Sequence, residues 1–474
     1  MDKFDPIELE FFKNIFVSIS EEMGAVLGRT ALSPNIKERK DFSCALFTKK
    51  GDTLAQGSHI PVHLGAMPLS VQAALDSMHL EEGDLVVLND PYHGGTHLPD
   101  ITCISPVFLE KRLSFLVANR AHHSDVGGMT PGSMPLATEL FQEGLIIPPL
   151  KLVKKGKTNQ PLLQFILSNV RTPDEREGDL HAQMAANNKG KQRIKEIIDK
   201  YGIKKINRYS SYIQDYTEKI MQETIKEIPD GSYEFTDYLD GDGIQNKPIS
   251  LSVRLSIEGS QAIIDFSSSS PQVEGSVNAN YAVTYSAVLY VFRSLIEENI
   301  PFNTGLIRPL NIIAPLGTVV NARFPSATAG GNVETSQRIV DVLLGALSQA
   351  IPEKIPAASS GTMNNVAFGG FHPQSSTNFA YYETIGGGMG ASARSPGLSG
   401  VHTHMTNSLN TPLEALENYL PIKINQYSLR RGSGGKGKYK GGEGIIREYQ
   451  FLVPTQVTII SDRRKFAPYG LQGG

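Results

Sequence analysis

The chain has 474 residues, 40% of them hydrophobic and 20% charged, which supplies a large core and excludes intrinsic disorder. Lys and Arg number 45 against 48 Asp and Glu, a net charge of -3 that favours neither nucleic acid nor an anionic membrane surface. The two cysteines, Cys44 and Cys103, cannot form a disulfide framework or a thiolate zinc site, and a reducing, cytoplasmic compartment is expected.

The N-terminus MDKFDPIELEFF is acidic and lacks the basic start and apolar run of a signal peptide. Asp5-Pro6 predicts a helix start. Ile7, Phe11, Ile15, Ile19, Met23 and Val26 then recur at helical spacing to about Arg29. Phe42 to Phe47, a Lys49-Lys50-Gly51-Asp52 turn and Thr53 to Ala55 predict a β-hairpin. Leu64 to Met78 is predicted helical. Asp84 to Leu88 and Leu113 to Asn119 are predicted strands, each running into a polar loop.

Two helices follow, Glu175 to Tyr201 and then to about Ile228, stopped by Pro229-Asp230-Gly231. SYEFTDYLD, ISLSVRLSI and QAIIDF alternate as strands. The longest apolar stretch, Tyr281 to Phe292, is too short for a bilayer, which needs about 20 residues, and predicts a buried helix continuing to Glu298. Strands at Leu310 to Ile313 and Val319 to Ala322 and a helix from Ser336 to Ala350 come next. Everything after about Ala357 is expected to be β-like and glycine-punctuated. The fold class is α+β and multi-domain, without a βαβ series. Its sections are a metal-bearing α/β region at 1–228, a mixed one at 229–356, and a β-rich, Gly-rich one at 357–474.

Histidine placement carries the chemistry. Seven of the eleven histidines lie between His59 and His123. The loops Asn89 to Asp100 and Asn119 to Asp125 are the densest, and each follows an apolar strand, so both are expected at one end of one sheet. Imidazoles and carboxylates converging without thiolate suit a divalent ion, and His97, Asp100 and either His122 or His123 supply that set. The alternative is a pair of turn-rich loops that binds nothing. Glu38 and Asp41 join the site only if the fold brings them there. His402 and His404 are expected on alternating strand positions, facing one side.

Gly432 to Tyr439 matches G-x-G-x-x-G but opens no helix, and Tyr439 stands where a P-loop needs Ser or Thr for magnesium. No ATP site is therefore expected on this chain. Hydrolase elbows, H-E-x-x-H and C-x-x-C are absent from the sequence.

The segments NIKERKDFSCALF, LNDPYHGGTHLPDI, NRAHHSDVGG, RTPDEREGDLHAQMAAN, IPFNTG, GGNVETSQRI, GSGGKGKYKGGEG and DRRKFAPYGLQGG, in this order, resemble the hydantoinase B / 5-oxoprolinase family. That family includes subunits of acetone and acetophenone carboxylases. The resemblance implies a hetero-oligomer in which a hydantoinase A-type partner with an actin-like ATP site phosphorylates the substrate, ATP and magnesium staying on that partner. This chain would then hydrolyse the activated cyclic amide; the alternatives are carboxylation of a ketone, or a scaffold that only stabilises the ATPase. The resemblance maps the ligands of one divalent metal, Zn or Mn, onto His97, Asp100, His122 and Glu38. His123 and Asp125 are the expected proton-moving groups, and Asp90 is expected to orient the ligands. The family continues past the Gly-Leu-Gln-Gly-Gly stretch, so the third section is either naturally short or truncated.

Overall fold

A computed structural model describes residues 5–57 and 59–474. The chain begins with α1 (Pro6–Thr30), the one-turn α2 (Pro34–Lys37), β1 (Phe42–Thr48), β2 (Thr53–Gln56) and α3 (Ala66–Ser77). Strands β3 (Leu85–Leu88), β4 (Asp100–Leu109), β5 (Arg112–His122), β6 (Leu150–Lys154) and β7 (Lys157–Thr158) follow. Helices α4 (Gln160–Leu167), α5 (Pro173–Tyr201) and α6 (Ile203–Lys226) come next. Then come β8 (Gly231–Leu239), β9 (Ile249–Glu258), β10 (Gln261–Asp265), α7 (Tyr281–Ser294), β11 (Leu310–Ile313) and α8 (Ser336–Ala350). Last are β12 (Asn365–His372), β13 (Thr377–Thr384), α9 (Leu413–Tyr419), β14 (Ile422–Leu429), β15 (Ile445–Phe451) and β16 (Thr455–Ile460).

Local chemistry sets the first helix. The Asp5 carboxylate accepts from the Ile7 N–H at 2.9 Å, Pro6 occupies the first turn, and Phe12, Phe16, Ile19, Met23 and Leu27 form the buried stripe. That stripe packs on α5, where a side chain at Gly190 would place its Cβ 2.4 Å from the Met23 sulfur. With glycine there, Met23 packs directly against the α5 backbone.

The organising sheet runs β2-β1-β5-β4-β3-β6-β7, antiparallel throughout. Because side chains alternate, its two faces bury different sets. Ala45, Val86, Ile104, Leu116 and Ala118 lie in the cluster with α3. Cys44, Leu46, Val117 and Ala121 lie in the cluster with α1 and α5. Strand β4 runs against both β3 and β5, so β3 and β5 run the same way. The exit of β3, the entry of β4 and the exit of β5 therefore share one end of the sheet. This is where the two histidine-bearing loops were expected to meet.

The second sheet has the order β11-β10-β9-β8, in which β10 and β11 are the parallel pair. A third is β13-β12-β16, and β14 pairs with β15 alone. One apolar cluster extends from Ile60 and Val62 through α7 and α8 to Met405 and Ile460, so it joins all three expected sections. Charges bind the same parts together. Arg338 of α8 pairs with Asp341 at 2.9 Å and Asp462 at 2.7 Å, and Arg463 pairs with Asp237 of β8 at 2.7 Å. No helix among the described residues is long and apolar enough to cross a membrane.

Several expectations change. Strand β4 was not anticipated, since it begins inside a polar loop and carries Pro106. Helix α7 ends at Ser294, four residues earlier than expected, with Leu295 as its cap. Val319 to Ala322 forms only isolated bridges through Thr318 and Asn321. The last section contains a helix, α9. His402 and His404 lie in an irregular segment, with His404 in the left-handed region at φ 57°, not on a strand.

Candidate metal centre

Asp100 opens β4 directly opposite His122, the last residue of β5, and His97 precedes Asp100 by three residues. Their facing atoms form a tight triangle. His97 Nε2 lies 3.3 Å and His122 Nδ1 3.2 Å from Asp100 Oδ1, and the two nitrogens are 3.2 Å apart. All three residues are buried, at 1–2% exposure. Protons alone do not satisfy this arrangement: if both rings donate to Asp100, the two N–H groups confront each other. A divalent ion does, since metal–ligand distances of about 2.0–2.2 Å put neighbouring ligands roughly 3.0–3.5 Å apart. His97, Asp100 and His122 are the group among the described residues that meets the geometric demand of an ion. The residues present fit one.

The carboxylate is held from behind. His63 Nε2 lies 3.3 Å from Asp100 Oδ2, the other His63 nitrogen is 3.0 Å from Ser43 Oγ, and the Thr96 hydroxyl donates to Asp100 Oδ2. Burial alone would raise the Asp100 carboxyl, but His97, His63 and the hydrogen bond from His122 hold it well below the usual range. Burial lowers His122, which keeps its imidazole neutral and able to ligate. The loop is braced too: Asn280 Nδ2 donates to the Thr96 carbonyl at 2.7 Å and Asn89 Nδ2 to that of Leu98 at 2.8 Å.

Residues near both ends of the chain close the site. The Tyr382 ring of β13 stacks on His122, with centroids 4.5 Å apart and planes at 22°. Fully buried Arg39 donates to the Tyr382 carbonyl at 2.8 Å and to the hydroxyls of Thr384 and Ser408, both at 3.0 Å. Burial, with Arg39 nearby, draws His402 down to about 4.

Other expected site residues lie elsewhere. Glu38 is half-buried at the C-cap of α2 and outside the three-residue group. The chain turns at Lys40, with φ 56°, and it is Asp41 that meets the site: its carbonyl accepts from the His122 N–H at 3.0 Å and its charge acts on that ring. His123 follows His122 and so faces the opposite way, toward α5, where Nε2 lies 3.0 Å from Gln183 Oε1. Asp125 is used structurally, accepting from the N–H groups of Gly127, Gly132 and Arg171 and from the Arg171 guanidinium. Asp90 caps the short Pro91–His93 turn, accepting from the Tyr92 N–H at 2.9 Å and from His93 Nδ1 at 2.7 Å. His63 and Thr96, which touch Asp100, and Tyr382, which stacks on His122, were not anticipated. Of these, His63 lies in the histidine-dense stretch and Thr96 in the Asn89 to Asp100 loop, whereas Tyr382 carried no sequence signal.

The Hydantoinase B/oxoprolinase family model matches residues 5–474. The chain belongs to this family. Among its members, an uncharacterized protein of Methanocaldococcus jannaschii is 45% identical over 99% of the chain and 83% of its own length. Arabidopsis thaliana 5-oxoprolinase 1 is 42% identical over 99% of the chain, which spans 38% of that protein. The putative B subunit of a D-/L-hydantoinase from a Pseudomonas species is 34% identical over the whole chain and 83% of its own length. The ATP-dependent caprolactamase of Pseudomonas jessenii superimposes with a TM-score of 0.89 at 28% identity, covering 97% of the chain and 80% of its own. Nucleotide-free acetone carboxylase shares the fold, with a TM-score of 0.92 at 20% identity over 98% of the chain and 65% of its own.

Proposed function

We propose that this hydantoinase B family chain is the B-type subunit of an ATP-dependent cyclic amidohydrolase. A separate hydantoinase A-type partner phosphorylates the ring amide, and this subunit hydrolyses the activated bond. The observation that carries the reading is the buried triangle of His97 Nε2, Asp100 Oδ1 and His122 Nδ1. Opening an unstrained ring amide is an uphill step, which is why coupling to ATP suits it.

His97, Asp100 and His122 would hold one divalent ion, Zn or Mn, which supplies Lewis acidity and activates water at neutral pH. Around it the protein's own groups divide the work. His63 and Thr96 fix the Asp100 carboxylate through Oδ2, leaving Oδ1 for the site. Tyr382 covers His122 and, with Arg39, excludes bulk solvent from that side. Asp41 contributes negative charge beside His122.

The test combines the purified chain, an A-type partner, Mg-ATP and hydantoin or 5-oxoproline. Ring opening should require both subunits and should disappear when the metal is stripped or when His97 is replaced by alanine. Ring opening that survives both changes in folded protein refutes the assignment. The likeness to acetone carboxylase extends to fold, so the same assay is run with acetone and bicarbonate; product formed there and not with cyclic amides would select carboxylation.

A further inference from the structure

We propose that Glu334 is a positioning residue for the metal centre, acting on His122 through Asn365 and Tyr382. This rests on the metal reading above and extends it to a helix outside the ligand loops.

Glu334 lies in a π-helical turn, Gly331–Thr335, that leads into α8. Such turns insert one extra residue and recur at functional sites, because they aim a side chain that a regular helix would point elsewhere. This one is wedged in place: a Cβ on Gly331 would stand 1.9 Å from the Asn278 carbonyl oxygen. Glu334 is 2% exposed, with one carboxyl oxygen, Oε2, unpartnered. The other, Oε1, accepts from Asn365 Nδ2 at 2.7 Å and from the Met363 N–H at 3.3 Å.

The network has a single direction. Asn365 Nδ2 also donates to the Ile460 carbonyl at 2.9 Å, so both of its acceptors require the amide nitrogen on that side. Asn365 Oδ1 therefore faces Tyr382, whose hydroxyl donates to it at 2.7 Å. The Tyr382 ring in turn lies on His122. Each contact fixes the next, from a carboxyl on the α8 side to the face of an imidazole that offers Nδ1 to the ion. Truncating Glu334 removes the shorter of the two contacts that hold the Asn365 amide and leaves only the Ile460 carbonyl, so the acceptor offered to Tyr382 is held less firmly.

The experiment measures metal affinity of the purified full chain by competition with a chromogenic chelator, using Zn and Mn, with circular dichroism and thermal melts alongside. The variants are Glu334→Ala, Glu334→Gln, Tyr382→Phe and the double variant Glu334→Ala/Tyr382→Phe. Glu334→Ala and Tyr382→Phe should each weaken binding by about tenfold to a hundredfold. The double variant should be no weaker than the worse single one, because both break one chain of contacts. Glu334→Gln should retain affinity, since its amide oxygen can accept from the same two donors. Independent, multiplying losses overturn the proposal, as does wild-type affinity in Tyr382→Phe. Should Glu334→Ala fail to fold, Glu334→Leu, which keeps the volume and removes both acceptors, takes its place. A wild type that binds no ion overturns the metal reading and this one with it; wild-type binding unchanged by these substitutions overturns this one alone.

Discussion

His63 Nε2 lies 3.3 Å from the Asp100 oxygen that faces away from His97 and His122. One buried imidazole thus sets the rotation of the carboxylate at the centre of the site. His63→Ala is expected to fold and to bind metal about tenfold to a hundredfold more weakly. Chelator competition measures this, and a folded variant with unchanged affinity would show that the contact orients nothing.

Loss of a ligand should act more severely. His97→Ala should purify without a stoichiometric ion from supplemented medium, while wild type carries one per chain, and circular dichroism should be the same for both. Metal analysis reads the difference. A full equivalent in the folded variant would remove His97 from the site.

Arg39 is fully buried and supports the far wall. Its replacement by alanine takes the guanidinium donors from the carbonyls of Tyr382 and Leu409 and leaves the hydroxyls of Thr384 and Ser408 to bond each other. Each buried group left without its partner costs about 1–3 kcal/mol, so a loss of roughly 3 kcal/mol or more is expected in urea denaturation. Arg39→Lys should recover only part, because one ammonium cannot match the fork. Stability within about 0.5 kcal/mol of wild type in Arg39→Ala would contradict this.

Glu143 offers a test by pH. It accepts from the N–H groups of Thr328 and Ala329 at 2.9 and 2.8 Å, yet burial pushes its carboxyl up to about 8. The folded protein then keeps a proton that the unfolded chain, titrating at about 4.3, has released. This contribution to stability is complete below the unfolded pKa and is lost as pH rises through 8. Glu143→Gln, which stays neutral, should gain on wild type by on the order of 1 kcal/mol per pH unit across that window. Denaturation curves from pH 5 to 9 measure the gap, and a constant gap would mean that Glu143 is ionised throughout.

Nucleotide binding gives a fourth kind of check. The glycine-rich run from Gly432 to Tyr439 lies in the connection between β14 and β15, two paired strands, with no helix N-terminus to receive phosphate. Calorimetry of the isolated chain with Mg-ATP should show no micromolar binding. Such binding would place the phosphorylating step here rather than on a partner.

Much of this was written locally. The Asp5 cap, the stripe from Phe12 to Leu27, the alternation of β8 and β9 and the run of α8 are short-range patterns, and the chain folds as they direct. His97, Asp100 and the His122–His123 pair were readable because they sit in two loops that leave one end of one sheet; the residues alone left the two histidines open, and the resemblance favoured His122. The contact of Asp41 with His122 follows a left-handed turn at Lys40, which spacing does not register. His123 and Asp125, expected to move protons, have neighbours that the sequence did not reveal. One faces the other side of the sheet, and the other is consumed by the loop that it folds. Tyr382 and Arg39 meet through packing between remote segments, for which sequence holds no periodic sign.

The separation of ligands from enclosure has a consequence for synthesis. Every ligand of the triangle emerges from the ribosome by His122, whereas Tyr382, Thr384 and Ser408, the residues clasped by Arg39, emerge hundreds of residues later. Translation proceeds at about 5–20 residues per second, so tens of seconds separate the synthesis of the triangle from that of its cover. Loading during that interval needs no route through finished protein. Once β13 has docked, the Tyr382 ring lies on His122 and Arg39 ties that strand to the segment before β1.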